Sequence, residues 1–326
     1  MSEPTEKNKT ATPRQNVRES VDSSSRIEAG IDWLERFRAS RQDRFRQGEL
    51  RGQRVRGWTE KFILRTATGV IYAVSIIVCL YFGIIPTSIL IAAMAWLCCS
   101  EYFRLVRKAG RIPNEILGLS AALAYPLAIL LPLENHTLCV TALLLIGCAI
   151  WFVVTPRANI ADVAVTAFGP LYTSLPFSCL VLIRAAFTGW EGFFLTFGVM
   201  GSIWVNDSLA FLVGSKLGKH KLAPRISPNK STEGFWGGIL GSVIIWAIMG
   251  AFKWGGLTMP LALVTGVAVA FVSVFGDLFE SRIKRGVGVK DSGDILPGHG
   301  GLLDRSDSML FGGMVAYLFL HIGGIL

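Results

Sequence analysis

The sequence predicts an all-α polytopic membrane protein with about nine transmembrane helices and a cytoplasmic N-terminus. Three observations carry that expectation. Charged residues make up 17% of the 326 and hydrophobic residues 52%, whereas a soluble chain carries about 25% charged residues. The charges are kept out of long stretches: 66–100, 116–133, 137–156, 163–183, 234–252, 254–276 and 308–326 hold no Asp, Glu, Lys or Arg. The cations between those stretches fall on one side of the implied membrane.

Residues 1–61 stand apart from the rest. They hold 14 Lys/Arg and 10 Asp/Glu, leaving 18 and 13 for the remaining chain, so +4 and +5 of the net +9. Residues 1–30 are polar and too poor in apolar groups to build a core, so disorder is expected there. In 31–61, Trp33, Phe37 and Phe45 share a helical face among nine basic residues between Arg36 and Lys61. This segment reads either as an amphipathic helix on an anionic membrane surface or as a solvated basic tail that fixes orientation. No nucleic-acid partner is expected, because no folded reading module is visible. Residues 62–326 read as an integral membrane catalytic domain.

A helix needs roughly 20 mostly apolar residues to cross the hydrocarbon core. The first run is long enough for two helices, with a break expected near Pro86. Gly192 to Ser215 is apolar apart from Asn206 and Asp207, and completes a count of nine. In lipid, helices of this length satisfy every backbone group internally. With the N-terminus inside, 16 of the Lys and Arg beyond residue 61 fall in cytoplasmic segments, and only Arg184 and Lys253 fall outside. That split follows the positive-inside rule. The two long loops, 216–233 and 281–303, then lie on the cytoplasmic side, where chemistry is expected.

The six cysteines, Cys79, Cys98, Cys99, Cys139, Cys148 and Cys179, lie in or at the ends of apolar runs without CxxC spacing. They read as packing residues, neither disulfides nor zinc ligands. No cleavable signal peptide is visible.

The richest stretch is 277–308, with six acidic and five basic residues between two apolar runs. Asp304 and Asp307 are three apart and share a helical face. Asp277 ends the preceding run, with Glu280, Ser281 and Lys284 on its face. Two helix ends offering these three aspartates would form a compact oxygen site of the kind Mg²⁺ takes, completed by water and substrate phosphates. The alternative is a set of capping or salt-bridged aspartates near Arg305. The loop between holds Gly286, Gly288, Gly293, Gly298, Gly300 and Gly301, which let backbone N–H groups approach anions. Arg285, Lys290 and Arg305 add positive charge, and His299 is a phosphate donor or acid/base candidate, or merely structural.

In the earlier loop Lys230 is suited to phosphate. Ser231 is placed to cap the next helix, and Gly234/Gly238 and Gly237/Gly241 are spaced for close helix packing. Asp207, an ionisable residue inside a run, reads either as a metal or nucleotide contact or as the partner of a lysine such as Lys216. Gly214 to His220 mimics a P-loop, but it is one residue short and follows a helix, so it is set aside.

The run Ser281-Arg-Ile-Lys284-Arg285, Lys290-Asp291-Ser-Gly293, Leu296-Pro297-Gly-His299-Gly300-Gly301-Leu-Leu-Asp304-Arg305-Ser-Asp307 closely resembles the motif of the phosphatidate cytidylyltransferase (CDP-diacylglycerol synthase) family. Ile226-Ser227-Pro228, Lys230, Glu233-Gly234, Asp207 and Gly276-Asp277 resemble further blocks of it. Ser306, Asn229, Ser231 and Thr232 depart from the usual family residues, and none of these departures removes a charge. The resemblance implies transfer of the cytidylyl group of CTP to phosphatidic acid, giving CDP-diacylglycerol and pyrophosphate, with Mg²⁺ and a second, monovalent cation such as K⁺. It implies catalytic roles for Asp277, Lys290, Asp304, Arg305 and Asp307, and a metal centre at the three aspartates. It implies substrate binding by Asp207, Ser227, Lys230, Lys284, Arg285, Asp291, His299, Gly300 and Gly301. The expected partners are CTP, phosphatidic acid and the bilayer of a bacterial inner membrane, and a homodimer is the assembly considered. Two rivals remain at this point: a cytidylyltransferase for an ether or isoprenoid lipid phosphate, and a polytopic transporter. The transporter suits the facts less well, because the charges gather at one face and no repeat is visible.

Overall fold

A computed structural model describes residues 69–293 and 300–326. The N-terminal segment 1–61, Arg65, and the stretch containing Leu296, Pro297 and His299 lie outside the described residues. Nine α-helices follow in order among those described: α1 (Gly69–Phe82), α2 (Ile84–Lys108), α3 (Glu115–Ala128), α4 (His136–Val154), α5 (Ile160–Ala186), α6 (Gly189–Leu217), α7 (Thr232–Ala251), α8 (Met259–Gly286) and α9 (Leu303–Ile322). Six of them, α2 and α4 through α8, are long and apolar enough to cross a membrane. α3 is shorter, at 14 residues. The chain is an all-α polytopic membrane protein. Its outer surface is apolar, with Ile71, Val153, Phe211, Trp236 and Phe275 exposed, as a lipid-facing surface requires.

Two local features go beyond the sequence expectation and have physical causes. The break expected near Pro86 falls at Gly83. Gly83 takes φ 110, a conformation that a Cβ would disfavour. Pro86 sits in the first turn of α2, where a missing N–H leaves no bond unmade. The break is stitched by Thr87 Oγ1, which donates to Cys79 O at 3.0 Å, and by Arg184 Nε of α5, which donates to Leu80 O at 3.1 Å. The loop 216–233 holds an antiparallel hairpin, β1 (Lys221–Ala223) and β2 (Ser227–Ser231), paired through Lys221↔Ser231 and Ala223↔Ser227. Its polar, short-period sequence gave no strand signal. Glu233 closes the base of the hairpin by accepting from the N–H groups of Lys219 and His220, at 3.1 and 3.3 Å.

Helix starts follow the capping residues. Asn114 accepts from Leu117 N, Asn159 from Asp162 N and Ser231 from Gly234 N, at 3.1, 2.9 and 3.2 Å. Each satisfies a donor that the helix itself leaves open.

The glycines of α7 lie against α6 as expected. A Cβ on Gly234 would stand 2.5 Å from Ala210 O and 3.1 Å from Gly214 Cα. Above this contact Trp246 is fully buried and donates its indole N–H to Ser202 Oγ at 3.1 Å. At the far end of the bundle Tyr81, Trp190, Phe194, Trp254 and Phe252 form a chain of ring contacts. Aromatic rings of this kind favour the membrane–water boundary. All six cysteines are free, and Cys98, Cys99, Cys148 and Cys179 are buried packing residues.

Gly234→Ala should destabilise the protein by about 1–3 kcal/mol through overpacking. Gly286, with open space around its Cβ position, should accept Ala with no loss. Thermal unfolding of both variants in detergent checks this.

Candidate active site

The C-terminal ends of α2, α6 and α8 meet the N-terminal ends of α7 and α9 at one end of the bundle. Gly276 makes this approach feasible, because a Cβ there would stand 2.5 Å from Asp307 O of α9. The result is a cavity of about 520 Å³. Asp207, Asp277, Asp304, Asp307, Lys230 and Arg305 line its polar side, and Ala210, Phe211, Leu222, Phe235 and Val274 its apolar side.

Asp277 Oδ2 pairs with Lys230 Nζ at 2.7 Å, and its Oδ1 accepts from Ser281 Oγ at 3.3 Å. The loop lysine and the helix aspartate, far apart in sequence, therefore share one wall. Asp207 Oδ1 accepts from Ser308 Oγ at 3.3 Å. Its charged neighbours include Asp277, Asp307 and Lys230, so it belongs to the cavity, and the lysine near it is Lys230. Asp307 is buried, with Asp277, Glu280 and Asp207 around it.

Asp304 is bonded differently. Its Oδ1 takes Lys284 Nζ at 2.6 Å, and its Oδ2 accepts from Ser292 N at 2.9 Å and Gly301 N at 2.8 Å. Lys284 also pairs with Glu280, which is fully buried on the previous turn of α8. The carboxyl of Asp304 is the other neighbour of Glu280. Lys284 thus lies beneath the cavity, where it neutralises two carboxylates.

The cavity does not gather every residue singled out from sequence. Ser227 pairs within the hairpin. Arg285 donates to Val289 O at 3.0 Å and is exposed, as are Lys290 and Asp291. Gly300 has φ 86 and Gly301 packs against Ser292 and Glu101, so both shape the loop. His299 lies outside the described residues.

A family model described as "Cytidylyltransferase family" matches residues 63–323. The chain belongs to the cytidylyltransferase family. A phosphatidate cytidylyltransferase from Staphylococcus epidermidis is 49% identical over 109 residues, 33% of this chain and 42% of the relative. One from Staphylococcus saprophyticus is 39% identical over 155 residues, 48% of this chain and 58% of the relative. One from Thermotoga maritima is 43% identical over 129 residues, 38% of this chain and 48% of the relative. The chain spans about half the length of the curated relatives it matches.

This family member also carries a buried carboxylate that the sequence reading missed. Glu101, on α2, is fully buried. Its oxygens accept from Leu302 N at 3.0 Å, Leu303 N at 2.8 Å and Ser292 Oγ at 2.8 Å. The available signal was a lone acid directly after the 35 uncharged residues 66–100.

Among the described residues no three acidic, cysteine or histidine side chains stand together in a way that could hold a metal ion. The donor set still fits a Mg²⁺ held by one or two carboxylates and completed by water and phosphate oxygens. Asp277 and Asp307 are the two carboxylates that would hold it, with Asp277 shared with Lys230. Asp304 joins them only if Lys284 releases it.

Lys284→Met strands Glu280 and Asp304 without their cation and should cost about 3–5 kcal/mol of stability. Replacing Glu280 by Gln in the same chain should recover part of that loss, and a double-mutant cycle on thermal unfolding measures the coupling.

Proposed function

We propose that the protein transfers the cytidylyl group of CTP to a lipid phosphate monoester, phosphatidic acid in the first instance, forming CDP-diacylglycerol and pyrophosphate. The observation that carries this reading is the two-sided cavity. Four carboxylates and two cations line it beside an apolar wall that includes Phe211, which is 77% exposed on the lipid-facing surface. Such a cavity suits a phosphate headgroup whose hydrocarbon tail stays in the bilayer. The named activity of the relatives agrees with it. The one-sided distribution of Lys and Arg supports a site that faces the cytoplasm across a bacterial inner membrane.

An oxygen of the lipid phosphate attacks the α-phosphorus of CTP, the bond to the bridging oxygen breaks, and pyrophosphate leaves. The nucleophile is already an anion, so no general base is needed. Positioning and charge neutralisation carry the rate. Lys230 and Arg305 offer cations to the reacting phosphates, with Lys230 oriented by Asp277. Asp277 and Asp307 would hold a Mg²⁺, which when bound neutralises charge on the α-phosphate and the leaving pyrophosphate. Asp207, beside them in the cavity wall, sets its negative side. Arg285 and Lys290, exposed in the segment between α8 and α9, meet CTP on its approach.

Purified protein with Mg²⁺ and phosphatidate should convert labelled CTP to a CDP-lipid, with excess ATP, GTP or UTP competing poorly. No product from either an ester or an ether lipid phosphate would sink this reading. Asp277→Asn and Asp307→Asn should each lower turnover at least about a hundredfold without loss of folded protein. Asp304→Asn should lower turnover and thermal stability together, because it also loosens Lys284 and the loop. Near-normal turnover in Asp307→Asn would remove that residue from the reacting centre.

A further inference from the structure

The start of α9 is the part of the site that most needs fixing, since Asp304, Arg305 and Asp307 all project from its first two turns. Its own sequence supplies no N-cap. Leu302 occupies the cap position, and no side-chain cap bond is made there. The open donors of that turn would lie buried, because Leu302 and Leu303 are almost wholly covered. A buried N–H without a partner is costly.

The missing cap comes from another helix, about 200 residues earlier in the chain. The carboxylate of Glu101 takes Leu302 N and Leu303 N, one on each oxygen, and holds the glycine-rich loop through Ser292 Oγ. Arg104 Nη2 stands 3.6 Å from Glu101 Oε1 and balances part of its charge. The surroundings leave room for nothing larger. A Cβ on Gly293 would stand 2.9 Å from Glu101 Oε1, and one on Gly301 would collide with Ser292 and Glu101. A carboxylate at a helix N-terminus also meets the positive end of the helix dipole. Asp304 completes the arrangement from inside the helix through Ser292 N and Gly301 N.

We propose that Glu101 is a positioning residue for the reaction: its carboxylate, delivered from α2, sets the start of α9 and so places Arg305 and Asp307 against Asp277 and Lys230. Glu101 does not line the cavity and touches no substrate. Its effect passes entirely through the backbone of residues 302–303 and the loop at Ser292. The role in turnover rests on the proposed cytidylyl transfer, and the cap itself does not.

The test uses the full chain in detergent with two readouts. Glu101→Gln keeps the shape but turns an NH₂ toward backbone donors. Amide hydrogen exchange over residues 300–308 should rise at least about tenfold. Turnover per folded molecule should fall about 10- to 100-fold, with KM for CTP changed less than about threefold, the scale of one lost charge-assisted bond. Glu101→Asp keeps the charge on a shorter arm and should restore part of both. It also serves as the test variant if the Gln form does not fold. Unchanged exchange in these variants overturns the cap. Faster exchange with unchanged turnover overturns the positioning role. If the parent protein turns over no lipid phosphate, the functional reading fails, while the exchange result still decides whether Glu101 fixes α9.

Discussion

The polar end of this molecule depends on one buried ion cluster, in which Lys284 lies between Glu280 and Asp304. Coulomb interactions are strong in so poorly hydrated a place, and any partner left alone there is costly. Lys284 sits on α8 one turn past Glu280, and Asp304 sits in the first turn of α9. The cluster therefore locks the end of one helix to the beginning of the next. Because Asp304 also holds Ser292 N and Gly301 N, both ends of the connecting loop are fastened at the same carboxylate. The polar side of the cavity follows from that fastening.

The membrane supplies the second constraint. A bilayer tolerates charge only near its surface or inside protein. Here four carboxylates and two cations meet where helices end, and the middle of the bundle is held by small and aromatic contacts such as Gly266 on Trp246 and Trp246 on Ser202. The connections at that end are the hairpin between α6 and α7 and the glycine-rich stretch between α8 and α9. Both are tied by side-chain acceptors, Glu233 in one case and Asp304 with Glu101 in the other. The apolar wall beside the charged one joins this polar end to the apolar outer surface through Phe211.

Much of this was legible from residue order. The uncharged runs located the helices, since few other structures are available to such stretches in lipid. The spacing of Asp277, Asp304 and Asp307 located the cavity wall, and Ser231 and Gly234 gave the start of α7. What was not legible depended on tertiary partners. Lys230 meeting Asp277 requires a hairpin with no apolar alternation to announce it. The resemblance implied substrate binding by Lys284, and its burial between Glu280 and Asp304 was not visible in the sequence. Glu101 was hidden for the opposite reason: a single acid at the end of an apolar run reads as the edge of a span, and its donors lie about 200 residues away. The break near Pro86 falls at Gly83 because proline in a first helical turn interrupts nothing.

The central claim is that the α-phosphate of CTP is transferred to a phosphate carried by a lipid at this cavity. Its most direct test follows the label in two parallel reactions of the purified full chain with Mg²⁺ and phosphatidate in mixed micelles, one with α-³²P-CTP and one with γ-³²P-CTP. Label from the α position should move into the lipid phase, and label from the γ position should stay in water as pyrophosphate. Transfer of the γ label to lipid, or retention of both labels in water, would contradict the claim.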